Sequence, residues 1–104
     1  MKRMSVFCRL IIMSLMVFAA AAAQAGDPEK GRQIYLDKCA GCHGVEGFPT
    51  MPAVPAFGRG EGVMKPDQDL LVFIKRGKVV MPAYEGILTD QEILDTLAYI
   101  RTLF

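Results

Sequence analysis

Between Val45 and Gly62 the chain sets three prolines, Pro49, Pro52 and Pro55, among the glycines Gly47, Gly58, Gly60 and Gly62. A stretch punctuated in this way holds neither a regular helix nor a paired strand. It falls in the middle of the residues available for folding. The chain has 104 residues and its first twenty-five read as a leader, so a domain runs from Gly26 to Phe104. A chain of that size buries only about 60% of the surface its unfolded form exposes. Domains so small are held by disulfides, a metal or a cofactor. A long loop inside a small domain also needs a reason, and wrapping a large rigid group is one. The length excludes a two-domain enzyme, a TIM barrel and any large substrate pocket.

The leader has three parts. Lys2 and Arg3 open it, an apolar run follows from Leu10 to Ala23, and Ala23-Gln24-Ala25 places small residues where a signal peptidase reads. The apolar run is short for a membrane span. The pattern predicts a secretory signal over residues 1–25, cleaved after Ala25, and export to the periplasm. Cys8 is expected to leave with it, because Phe7 stands where a lipoprotein would need a small residue. Residues 26–104 then hold nine basic and eleven acidic side chains, a formal charge of −2. Nucleic-acid binders are normally basic, so none is expected as a partner. No basic amphipathic helix suggests a membrane surface, and no stable insertion is expected once the signal is removed.

Cys39-Ala40-Gly41-Cys42-His43 decides which staple is used. An exported chain permits a disulfide, but a redox Cys-x-x-Cys site belongs in a βαβ setting, and no such strands are legible. Structural zinc takes four Cys or His ligands; this region supplies two cysteines and the only histidine of the chain. Cys-x-x-Cys-His is the pattern of covalent haem attachment. On a helical turn, residues three and four apart share a face. Cys39 and Cys42 can then reach the two vinyl groups of one porphyrin while His43 presents its imidazole to the iron.

The second axial ligand must come from elsewhere. His/Met ligation is a known pairing for haem iron, and Met51, Met64 and Met81 remain after the leader. Met81 is the candidate. It stands in Val79-Val80-Met81-Pro82, beyond a helix, and Pro82 biases it to an extended backbone from which its sulfur can point inward. Met51 and Met64 read as apolar filling.

Three helices are expected. The first starts at Asp27-Pro28-Glu29 and runs to about Cys39 or His43, with Gly31 and Tyr35 on one face. The second starts at Pro66-Asp67, carries Leu70, Leu71, Phe73 and Ile74 inward, and stops at Lys75-Arg76-Gly77. The third opens with the capping box Thr89-Asp90-Gln91-Glu92 and carries Ile93, Leu94, Leu97, Ile100 and Phe104 inward. The class is all-α.

With these residues in place, Asp27 to Phe104 resembles class I cytochrome c. The resemblance rests on Cys39-x-x-Cys42-His43, on the Met81-Pro82 loop and on Leu97-Ala98-Tyr99-Ile100-Arg101 near the end. It implies the cytochrome c fold, three to four short helices and long loops around one covalently bound haem c. It implies that the first and last helices cross near the haem, with Gly31, Tyr35 and Tyr99 at the crossing. It also implies a loop proline whose carbonyl accepts the His43 ring N–H. Pro55 is the best match and Pro52 the alternative, because Val54 stands where the family often has glycine. The function implied is one-electron transfer by a monomer that is not an enzyme and meets donor and acceptor proteins briefly. Phe48, Pro49, Ala83 and Tyr84 are candidates for its contact rim. The alternatives are a haem subunit of a larger oxidoreductase and an open-site gas sensor or peroxidase.

Overall fold

A computed structural model describes residues 5–9 and 26–104. The leader's apolar run and its cleavage site lie outside these residues. Among the described residues no helix is long and apolar enough to cross a membrane.

The first helix of residues 26–104, α1 (Pro28–Lys38), begins where the sequence predicts. The Asp27 carboxylate accepts from the backbone N–H groups of Glu29, at 2.9 Å, and Lys30, at 3.4 Å, and proline fills the first helical position. These bonds satisfy two of the donors that a helix start leaves open. The helix does not run unbroken to His43. It stops at Cys39, and a single further turn, α2 (Ala40–His43), follows. A 3-10 turn at Phe57–Arg59 is the only helical piece of the long loop. Then come α3 (Asp67–Arg76) and α4 (Asp90–Ile100). The described residues contain no strand, only an isolated bridge between Lys78 and Met81. The fold is all-α, as expected.

The start of α4 is held by both halves of the capping box. Thr89 Oγ1 accepts from Glu92 N at 3.1 Å, and Glu92 Oε2 accepts from Thr89 N at 3.0 Å. The buried core joins Tyr35, Val63, Leu70, Leu71, Ile93, Leu97 and Ile100. Two expected core residues depart from this set. Phe73 is exposed, because on a helix it lies about 100° from the centre of the stripe formed by Leu70, Leu71 and Ile74. Phe104 is also exposed. The chain tightens after Ile100, with Thr102 N bonded to Tyr99 O and Leu103 N to Ile100 O. That i→i+3 winding turns Phe104 off the face its spacing promised.

α1 and α4 cross at Gly31. A Cβ there would overlap the carbonyl oxygen of Asp95, so only glycine lets the two backbones approach so closely. Asp95 is itself buried, and its carboxylate accepts from Asp27 N at 2.8 Å and from Gln91 Nε2 at 2.9 Å. It therefore ties the start of α1 to the middle of α4. Arg101 does the same for α3: its guanidinium pairs with Asp67 and donates to the carbonyls of Val63, at 3.4 Å, and Lys65, at 3.1 Å.

Candidate cofactor site

The site begins at the break between α1 and α2. Cys39 N is still bonded to Tyr35 O, while Cys42 N and His43 N both turn back to Cys39 O, at 3.2 and 3.0 Å. Cys39 is thus the hinge of two helical segments, and Cys42 and His43 stand on the turn it begins. Neither cysteine is in a disulfide. Cys42 is exposed and Cys39 partly buried. Burial, with Cys42 alongside and against the opposing pull of Lys38, pushes the Cys39 thiol up to about 11.

His43 is buried, and two loop residues, Pro55 and Phe57, fix its ring. Nδ1 lies 3.3 Å from the carbonyl oxygen of Pro55. A carbonyl only accepts, so Nδ1 carries the proton and Nε2 keeps its lone pair. Phe57 stacks on the ring face, with centroids 4.3 Å apart and planes 12° from parallel. Ala56 lies between these two residues, fully buried. Burial lowers the His43 pKa, and the bond to Pro55 offsets that only in part. The ring is therefore held neutral, the form that ligates metals. Of the two candidate prolines, Pro55 is the one whose carbonyl meets the ring.

Tyr35 packs behind this turn. Its hydroxyl donates to Gly44 O at 2.6 Å, and its ring lies 5.4 Å from Tyr99 and 6.3 Å from Phe57. The aromatic pair expected at the crossing is in place, joined by a third ring.

Met81 is presented by a tight turn. Lys78 and Met81 exchange backbone bonds, N–H to carbonyl in both directions, at 3.0 and 2.9 Å. Val79 takes φ +50° to make the turn, a conformation a β-branched residue seldom adopts. Gly77 precedes it with φ +70°, and a Cβ there would come within 2.7 Å of Met81 O and Ala83 N. Beyond the turn, Tyr84 N and Glu85 N bond to the carbonyls of Ile74 and Lys75, each at 3.1 Å, closing the end of α3. Tyr84 is buried, and its hydroxyl donates to Lys38 O at 2.9 Å. It is an internal anchor between the Met81 loop and the end of α1, not part of an exposed rim. Phe48 and Ala83 are exposed, and Pro49 partly so. Lys75 pairs with Asp90 at 2.9 Å and Glu85 at 3.6 Å, joining the same loop to the start of α4.

This donor set fits a haem. Two thiols and one neutral imidazole with a free Nε2 stand on adjacent turns. A thioether is presented by a separate, braced loop. Phe48, Met51, Met64, Val79 and Val80 offer apolar side chains to the exterior of the intervening segments. Among the described residues no cluster of His, Cys, Asp and Glu could hold a bare metal ion. The residues that sequence reasoning missed are Phe57, Glu61 and Asp95. A lone aromatic and two lone acids carry no motif, and the contacts that matter, Phe57 on His43, Glu61 on Ala56 N and Asp95 on Asp27 N, form only in the folded chain.

Comparison with known proteins points the same way. A family model described as cytochrome c oxidase, cbb3-type, subunit III matches residues 26–100. Cytochrome c6 of Thermosynechococcus vestitus is 31% identical, over 96% of this chain and 91% of its own length. Cytochrome c4 of Thiocapsa roseopersicina is 35% identical, over 80% of this chain and 43% of its own. The gluconate 2-dehydrogenase cytochrome c subunit of Pantoea cypripedii is 28% identical, over 80% of this chain and 22% of its own. No solved structure matches significantly.

Proposed function

Because the chain belongs to the small class I c-type cytochromes, whose cofactor is a covalently bound haem c, we propose that it is an exported one-electron carrier with His43 and Met81 as its axial ligands. Residues 1–25 are the cleaved signal and the periplasm is the destination. The observation that carries the reading is the His43 ring, buried and oriented by Pro55 and Phe57 beside both cysteines. When bound, haem supplies an iron centre that gains or loses one electron without making or breaking bonds.

The chain's residues do the rest. Cys39 and Cys42 would hold the porphyrin through thioethers. His43 offers Nε2 to the iron, and the Pro55 carbonyl, by taking the Nδ1 proton into a hydrogen bond, fixes the ring and strengthens its donation. Met81 would supply the second ligand through its thioether. Gly77, the Lys78–Met81 turn and the Tyr84 hydroxyl limit movement of its loop. With both positions taken there is no place for substrate, so the protein is a carrier and not an enzyme. Partners are redox proteins met briefly, through the exposed apolar rim and modest charge.

The test is the visible spectrum with and without CO. Wild type should give a sharp low-spin reduced spectrum that ignores CO. Met81→Ala should open the iron and bind CO readily. A wild type that shifts with CO, or a variant that does not, removes Met81 from the site and brings gas binding or peroxide chemistry forward. A second reading, a permanent haem relay in a larger oxidoreductase, draws support from the relative that is a dehydrogenase's cytochrome c subunit. Size-exclusion chromatography of a native extract separates the two: a free carrier elutes as a monomer, a relay with its enzyme.

A further inference from the structure

Glu61 makes two contacts with Ala56 and a third with Arg59, which itself bonds to Ala56. Its carboxylate accepts from Ala56 N at 2.7 Å, and its own backbone N–H donates to Ala56 O at 3.2 Å. Arg59 Nε donates to the second carboxylate oxygen at 3.3 Å, and Arg59 N also bonds to Ala56 O, at 3.0 Å. Ala56 is fully buried. Its N–H belongs to the same peptide unit as the Pro55 carbonyl, and that carbonyl accepts the His43 ring proton. One planar, conjugated group thus has a carboxylate on its N–H and an imidazole N–H on its oxygen. Phe57, stacked on the ring, begins the 3-10 turn that Gly60 caps, immediately before Glu61.

A carboxylate accepting from an amide draws that N–H toward it and shifts electron density to the carbonyl oxygen. Hydrogen bonds in a chain polarise one another in this way. A bond to an ionised acceptor is stronger than one to a neutral amide. The Ala56 bond accordingly holds the Glu61 carboxyl below its ordinary pKa, with Arg59 adding to the effect. The side chain is half exposed, so its field through solvent is screened. The direct hydrogen bond is not.

We propose that Glu61 is a positioning residue that sets the donor strength of His43 through the Pro55–Ala56 peptide. The negative charge strengthens the Nδ1–H···O bond, gives the imidazole more imidazolate character, and favours the oxidised iron. This rests on His43 being an axial ligand, as proposed above. Glu61→Gln keeps an oxygen acceptor and the shape of the loop but removes the charge. It should shift the electron-transfer equilibrium toward the reduced protein by about threefold, measured as a rise in reduction potential. Glu61→Ala should shift it further in the same direction.

Two readouts separate the relay from a simple surface charge. The rise in Glu61→Gln should persist at about 1 M salt, where the screening length is about 3 Å. The His43 Nδ1–H resonance of the reduced variant should move upfield, reporting a weaker bond to Pro55. An unchanged potential, or a rise that disappears in salt with Nδ1–H unmoved, overturns the proposal. The same spectra test ligation. Wild type should show His43 ring-carbon protons displaced far upfield by the porphyrin ring current. If they are not, both readings fall; if they are and Nδ1–H does not respond, only the relay falls.

Discussion

Tyr35 combines three functions in one side chain: it fills the core, packs its ring at a tilt against Tyr99 and bonds to the carbonyl of Gly44 just after α2. Burial is the main reason its pKa rises from 10.0 to about 12, with Cys39 and Tyr99 adding to it. The folded protein therefore keeps a proton that the unfolded chain releases. The resulting stability is complete below pH 10.0 and is lost as pH climbs through about 12. Tyr35→Phe should cost about 1 kcal/mol at neutral pH through the missing hydrogen bond. The gap between wild type and variant should then narrow in alkali, because phenylalanine has no proton to lose. Thermal unfolding at neutral pH and at about pH 11 checks this; a gap that stays constant refutes it. Residue chemistry is legible in sequence where a motif carries it, as in Cys39, Cys42 and His43. It is not legible for Glu61, whose partner Ala56 is an ordinary backbone amide until the loop folds.

At the scale of elements, the crossing of α1 on α4 depends on Gly31. In an exposed helix, glycine to alanine gains about 1 kcal/mol. Here the added methyl would meet the Asp95 carbonyl, and overpacking of that kind costs about 1–3 kcal/mol. Gly31→Ala should therefore destabilise the protein, and Gly31→Val more so, with Tm falling by several degrees for each kcal/mol lost. An alanine variant with raised Tm would show that the helices can separate without penalty. The sequence marked this position because a glycine in a helix is unfavourable without a reason. The resemblance pointed to the last helix, but it could not name the residue met, since the Asp95 backbone reaches Gly31 only through the arrangement of the whole chain. The loop from Gly77 to Thr89 follows the same rule. Its two glycines and its proline are visible beforehand, whereas its bonds to the last carbonyls of α3 and the Tyr84 anchor on Lys38 are not.

For the whole molecule, the small core sets the terms. Among the described residues only Tyr35 and Ile93 are large side chains fully removed from water, so the cofactor must supply much of the interior. A Cys39→Ala/Cys42→Ala protein made without haem should be largely unfolded, and helical circular dichroism close to that of the loaded protein would refute this. By itself the sequence determined the helical class, the three main helix starts, the attachment motif and the two candidate iron ligands. All of these depend on neighbours within a few positions: a cap, a periodic stripe, a Cys-x-x-Cys-His turn, a Met before proline. Only the tertiary structure decided that Pro55 meets His43, that Phe57 stacks on it, that Tyr84 turns inward, and that Phe73 and Phe104 stay outside. Those outcomes depend on distances between segments far apart in the chain, and local residue preferences carry no information about them.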